Sequence, residues 1–502
     1  MIIKISQFTI LINKIDKSHL IWIKDKKWKE LNSTSINNTF LLGHNGANML
    51  TGEFVCIDLT KDAITIYNDV FGAIPVYLYE TDTHFGITNS LFKLNQLIPI
   101  QTDIIERQFY EYFIFGFQVN DNQSYYKYIK SIQRQFKVSC TLSDYNISIR
   151  MTNESFYSDN NGANSKEPED ISKILRSETE IGLECLNGTS SLLLSGGKDS
   201  LLGGLLVKSI YKDKNLTSAT FGLQDSQDIV LAKVRSEKIF KSTHNEFLID
   251  DFNITQDDFI NHAIAQNGFG TLSSIFYSFF IKHLNSLGIT NAFFSDHFEC
   301  TRKEIPDMVY LRERYTTPSN VVMRYIRDQE AYNYYLTDAI NNIQNNYGLN
   351  ACYKFYYHDR NQRGQAWKMM LCNEYGLVKY NLSNHIRFLN KNYHDVNYEN
   401  NFNYNHLVDI YSQKCGISKL ESEGKYANYK NIPVDPRKLI YDHSAFFIDT
   451  LNNNINLSLN RHFNLESISH DIENRTITDN GEWLILRLLN LTLFNTFLNH
   501  KL

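Results

Sequence analysis

No run of eighteen apolar residues occurs in this 502-residue chain, so no segment reads as a membrane-crossing helix. The best candidate, Ile275 to Ile281, is stopped by Lys282 and His283. The opening residues, Met1-Ile2-Ile3-Lys4-Ile5, alternate like a strand and lack the apolar core of a signal peptide. Cysteine is sparse and scattered: seven residues (56, 140, 185, 300, 352, 372 and 415), with no Cys-x-x-Cys pair. That excludes a disulfide framework and a zinc cluster as expectations, and makes a reducing cytoplasm the expected compartment. Neither sign of charge dominates, with 50 Lys and Arg against 55 Asp and Glu, so nothing advertises a nucleic-acid or anionic-membrane partner. No internal repeat is visible. What is present is a 42% hydrophobic, aromatic-rich composition and enough length for two or three domains, which together describe a soluble globular protein.

The most informative stretch is Ser191-Leu192-Leu193-Leu194-Ser195-Gly196-Gly197-Lys198-Asp199-Ser200, followed by an apolar segment from Leu201 to Val207. An apolar run, a glycine turn and a new segment at helical spacing predict a buried strand, a tight loop and a helix N-terminus. Backbone N–H groups in such a turn, with the helix dipole behind them, cradle an anion. Ser195 and Ser200 add hydroxyl donors, and Asp199 offers a hard oxygen for Mg²⁺ on a pyrophosphate. It is not a Walker A loop, because Gly197-Lys198 is followed by Asp199 and no glycine lies five residues before Gly197.

Residues 1–155 read as β-rich, with short alternating runs at Gly52–Leu59, Ala63–Tyr67 and Val76–Tyr79. The polar stretch Ser158 to Ser165 is the best domain boundary, giving expected domains of 1–157 and 168–502. Beyond it, helices are expected at 171–186, 199–211, 228–240 and 273–287, and strands at 191–194, 217–222 and 292–294. That alternation predicts a parallel α/β sheet. From about 303 onward the text reads as mostly helical, with loops at 390–405 and 415–437. Ligands of an open parallel sheet sit at the carboxyl ends of its strands, where Ser195, Gly222 and Ser295 are expected.

The Ser-Gly-Gly-Lys-Asp-Ser stretch resembles the phosphate loop of the ATP pyrophosphatases, which cleave ATP between its α and β phosphates. Nearly the whole chain is similar to the asparagine synthetase family, with its β-lactam synthetase and lasso-peptide cyclase relatives. The N-terminal likeness rests on Leu50-Thr51-Gly52-Glu53-Phe54, on Asn68 to Tyr77, on Phe85 to Ser90 and on Glu111 to Gly116. The resemblance implies an α+β N-terminal sandwich of the glutaminase type, then an α/β parallel-sheet ATP pyrophosphatase domain with a mostly helical C-terminal region. It implies ATP and Mg²⁺ as cofactors. Nucleotide contacts then fall to Leu194, Ser195, Gly196, Gly197, Lys198, Asp199, Ser200, Phe221, Gly222 and Ser295.

The chain departs from the family at several points. The glutaminase nucleophile is a cysteine at position 2, where this chain has Ile2, and His44 to Asn48 replaces the glutamine-binding Asn-Gly-Glu. The first cysteine, Cys56, falls inside an expected strand, so the domain is expected to be degenerate and glutaminase-deficient. The second acidic signature reads Ser295-Asp296-His297-Phe298-Glu299-Cys300-Thr301, without its glycines. Asp199, Asp296 and Glu299 are then the expected metal ligands. Lys425, within a stretch similar to the family's lysine and Leu-Pro succession, is the expected catalytic cation beside Asp199. Gly376 to Tyr380 occupies the place of the aspartate-binding segment but has neither its Glu nor its Arg.

Three functions stay open on these residues. One is an ATP-dependent amide ligase that adenylates a small-molecule or peptide carboxylate and passes it to an amine or ammonia, with a precursor peptide or partner protein as an associated component. The second is a nucleobase- or tRNA-modifying enzyme, suggested by Lys198 in the loop and disfavoured by the acidic chain. The third is a catalytically silent scaffold, suggested by the altered acidic signature.

Overall fold

The computed structural model describes residues 2–4, 7–15, 19–24, 29–31, 38–45, 52–60, 62–69, 72–117, 119, 123–132, 136–141, 146–151, 171–184, 186–211, 217–296, 298, 323–347, 366–383, 402–417, 435–453 and 459–499. The expected boundary at 158–165 lies outside them, as do Lys425, Glu299 and His297.

The first part of the chain forms two six-stranded sheets. One contains β1 (Ile2–Lys4), β5 (Asn38–Asn45), β6 (Gly52–Leu59), β7 (Ala63–Asn68), β11 (Phe136–Thr141) and β12 (Asn146–Met151), in that spatial order. The other runs β10 (Ile129–Ile132), β8 (Val76–Glu80), β9 (His84–Thr88), β2 (Gln7–Asn13), β3 (His19–Lys24) and β4 (Lys29–Leu31). Pairing is antiparallel except between β1 and β5. Strict alternation drives this arrangement, since successive residues of a strand point to opposite faces. Ile64 and Ile66 of β7 are buried with Ile57 of β6 and with Ile10, Ile21 and Leu78 of the other sheet, in one apolar cluster. Tyr77 and Tyr79, between those positions, join a second cluster with the helices.

A five-stranded parallel sheet follows, in the order β15 (Thr243–Leu248), β14 (Thr217–Gly222), β13 (Thr189–Leu193), β16 (Ile289–Phe294) and β17 (Val378–Asn381). The chain steps from β13 outward to β15, then returns to the other side of β13 for β16. Strand order therefore reverses between β13 and β16, which opens a crevice at their carboxyl ends.

The helices are α1 (Leu91–Leu97), α2 (Glu106–Phe115), α3 (Ile171–Glu184), α4 (Lys198–Ile210), α5 (Gln227–Arg235), α6 (Gln256–Ala265), α7 (Ile275–Ser286), α8 (Gln329–Tyr347) and α9 (Ala366–Glu374). They continue with α10 (Phe402–Lys414), α11 (Pro436–Asp442), α12 (Ser444–Asn453), α13 (Leu459–His462), α14 (Leu465–Glu473) and α15 (Gly481–Asn499). None among the described residues is long and apolar enough to cross a membrane.

Most expected elements appear within a residue or two. Three differ. The expected helix 228–240 is α5 followed by a π-helical turn, Ser236–Phe240, closed by Lys241 in the left-handed region. The region read as helical after 303 contains β17, which completes the parallel sheet. Residues 402–405, expected in a loop, begin α10.

Two glycines bring α4 close to its neighbours. A Cβ on Gly203 would lie 2.0 Å from Ser295 Oγ, and one on Gly204 would lie 2.4 Å from the Phe240 ring. Real side chains do not tolerate such distances, so only glycine lets the helix seat against these groups.

Candidate functional site

The loop between β13 and α4 is assembled by its own side chains. Leu192 and Leu194 are buried, and the Leu194 N–H is spent on the Ala219 carbonyl at 2.9 Å, extending the ladder past the strand. Ser200 Oγ then receives the Ser195 N–H at 3.1 Å and lies within hydrogen-bonding distance of the carbonyls of Ser195 and Gly197. Ser195 Oγ accepts the Gly197 N–H at 3.0 Å. Gly197 is the helix N-cap, and Asp199 lies in the first turn of α4, where a carboxylate suits the helix dipole. Gly197 and Lys198 are exposed, whereas Ser200 is buried beneath them. The loop thus shows its backbone and its cation to solvent while its hydroxyls hold the turn.

Two residues that the sequence reading did not weigh fix this loop from outside. Arg235, at the end of α5, donates from Nη1 to the Ser195 and Gly197 carbonyls at 2.7 and 2.8 Å. Its guanidinium satisfies two backbone acceptors of the loop at once, a role a lysine would fill less rigidly. Tyr404 of α10 donates to the Lys198 carbonyl at 2.9 Å. Asp228, in the first turn of α5, accepts the Gly196 N–H at 2.7 Å. An exposed carboxylate oxygen therefore already occupies one donor of the turn. The Gly196 N–H is thus engaged by the protein's own carboxylate.

Gly222 ends β14, and Ser295 directly follows β16, so the three expected loop positions lie at carboxyl ends of parallel strands. Gly196 approaches the start of α5 so closely that a Cβ would sit 3.1 Å from Asp228 Oδ1 and 3.2 Å from the Gln227 carbonyl. Phe221 does not project freely: its ring packs edge-on against Tyr277 at 4.6 Å and tilts against Phe280 at 4.8 Å.

The second acidic loop has a different character. Asp296 Oδ1 accepts from Lys368 of α9 at 2.9 Å, and Oδ2 lies 3.8 Å from Lys379 of β17. Both lysines are buried. Lys368 also lies over the rings of Tyr277 and Trp367, at 5.5 and 5.7 Å, an arrangement that favours a cation. Ser383 donates to the Asp296 carbonyl. Burial raises the Tyr277 hydroxyl pKa, and the neighbouring Lys368 charge works against that rise.

Metal ligation fits this donor set unevenly. No cluster of three or more His, Cys, Asp or Glu side chains suited to an ion occurs among the described residues. Asp199 stands at the loop, whereas Asp296 faces two ammonium groups. Such a site suits an ion that arrives already coordinated by phosphate, since Mg²⁺ bound with a nucleotide keeps waters and needs one or two carboxylates. Elsewhere, burial pushes the thiols of Cys56 and Cys372 up to about 11 and about 12, which leaves both as poor nucleophiles. No protein-family model and no curated protein matches this chain.

Proposed function

We propose that the protein is an ATP pyrophosphatase-type ligase of the asparagine synthetase kind, with two facing N-terminal sheets that have lost glutaminase chemistry. One observation carries the reading: the Ser195–Ser200 loop stands at the end of β13, beside the point where strand order reverses. Ligands of parallel sheets bind at that point, and the loop supplies the N-terminus of α4, Lys198 and Asp199 there.

A carboxylate oxygen of the substrate attacks the α-phosphorus of ATP. The bond from that phosphorus to the β-bridging oxygen breaks, and pyrophosphate leaves toward the loop. An amine nitrogen then attacks the acyl carbon, AMP departs with the acyl C–O bonding pair, and the amine proton passes to solvent. The loop residues orient pyrophosphate and offset its charge, Asp199 would hold an ion that arrives with the nucleotide, and Lys425 is assigned the charge developing at the acyl centre. The amine belongs to the substrate or is free ammonia. Buried, high-pKa Cys56 offers no nucleophile for glutamine.

The paired state of Asp296 favours a second reading, a nucleotide-binding scaffold without turnover. Exchange of labelled pyrophosphate into ATP separates the two. A panel of small carboxylic acids and peptides should contain one that stimulates exchange. Mg-ATP binding without exchange under any acid would favour the scaffold.

A further inference from the structure

Four buried or half-buried charges connect the first sheet to the crevice. Glu53, at the start of β6, lies 3.6 Å from Lys379 of β17, and Lys379 lies 3.8 Å from Asp296 at the end of β16. Asp296 in turn holds Lys368 at 2.9 Å. Glu53, Lys379 and Lys368 are each less than a tenth exposed. Removing such groups from water costs several kcal/mol per ion, which only close counter-charges offset. The signs alternate along the chain, so each interior charge has an opposite neighbour on both sides.

The packing makes this a connection between distinct layers. β17 packs against β5 and β6, which places the parallel sheet's edge on the first sheet. A Cβ on Gly182 would lie 1.9 Å from the Tyr380 hydroxyl, so α3 presses β17 from another side. Among the described residues, Cys372 lies within the electrostatic reach of all four charges, and Tyr277 within that of Lys368 and Asp296.

We propose that Glu53 is a positioning residue for the nucleotide crevice, acting through Lys379 on Asp296. Shared between two carboxylates, Lys379 leaves Asp296 bound mainly to Lys368 and so fixes the second loop opposite the first. Loss of the Glu53 charge turns Lys379 wholly toward Asp296 and re-sorts both lysines. The N-terminal layer then contributes to the crevice by electrostatics, with no chemistry of its own.

The part of this inference that concerns nucleotide rests on the proposed function, and the test separates the two. Thermal unfolding of the full chain is measured for Glu53→Gln, Asp296→Asn and the double variant, in both the natural and the Lys379→Met backgrounds. Glu53→Gln should lower Tm by about 3–5 °C, as expected when a buried ion in a chain of this length loses its partner. Glu53→Gln and Asp296→Asn should be non-additive with Lys379 present and additive with Met there. If Glu53→Gln alone fails to fold, Glu53→Gln with Lys379→Met should restore folding, because the stranded cation is gone. Calorimetric Mg-ATP binding should weaken about tenfold in Glu53→Gln, recover in Glu53→Asp, and not respond to Glu53→Gln in the Lys379→Met background. Additivity in both backgrounds overturns the inference, as does unchanged binding in a Glu53→Gln protein whose wild type binds Mg-ATP. A wild type that binds no Mg-ATP overturns the proposed function, and the unfolding cycle alone then decides whether Glu53 acts on Asp296.

Discussion

The two loops that flank the strand-order reversal handle charge in opposite ways. After β13, Ser195 to Ser200 turns Lys198 outward, while its hydroxyls and Asp228 hold the backbone N–H groups of the turn. After β16, Asp296 turns its carboxylate inward onto two buried lysines. The first loop offers an exposed cation and a helix N-terminus to an incoming oxyanion, and the second is already neutralised by the protein. Glycine explains much of the contrast. Gly196 and Gly197 let the first backbone reach an external group, whereas the second loop has side chains throughout and meets charge with charge. On the proposed function, phosphate recognition falls to the first loop and geometric support to the second.

The sharpest way to break this comparison is at Asp199. Asp199→Asn should reduce pyrophosphate exchange on the order of 10²–10³-fold, the scale of losing one charged group at a reacting phosphate, with an unchanged Tm. Loss of Tm without loss of exchange would show that Asp199 is structural.

A global effect of pH must be separated from either loop, and buried His262 contributes to it. This side chain is fully buried and bonded to Ser278 and Ser274, at 2.7 and 3.0 Å. Burial lowers its pKa from 6.5 to about 4. The unfolded chain takes up the proton first as pH falls, so stability is full above about 6.5, declines toward about 4 and then levels. That amounts to about 3 kcal/mol. His244, His443 and His462 shift in the same direction, also through burial. Chemical unfolding from pH 7.5 to 4.5 should show a shallower slope in His262→Gln than in wild type. Equal slopes would remove His262 from the account.

A smaller effect sharpens the geometric side. Gly203→Ala places a methyl 2.0 Å from Ser295 Oγ and 2.8 Å from Leu382, so α4 must move off the end of β16. Overpacking of this kind costs about 1–3 kcal/mol. Calorimetry should record that loss together with weaker Mg-ATP binding, while Ser295→Ala in the same chain should recover part of both.

How much of this was legible in the sequence follows from how local each signal is. The glycine loop announces itself, because apolar run, turn and helix start are all written within a dozen residues. β14 begins and ends where its Thr217–Gly222 pattern says. β17 was not legible: four residues after a left-handed Gly376, carrying a buried lysine, look nothing like a core strand. Its Lys379 is tolerated only because Glu53 and Asp296, far away in the chain, meet it there. Arg235 carries no local signal of its role, and its two carbonyl partners emerge only once α5 lies beside the loop. The π-helical turn after α5 likewise has no local signature. Short-range pattern wrote the cradle, and long-range charge pairing wrote its support.

The central claim is that the Ser195–Ser200 loop grips pyrophosphate. Product analysis with radiolabelled ATP, Mg²⁺ and the acid that stimulates exchange tests it most directly. The account predicts AMP and pyrophosphate in equal amounts, with formation of both reduced on the order of 10²–10³-fold in Asp199→Asn. Release of ADP and inorganic phosphate would contradict it.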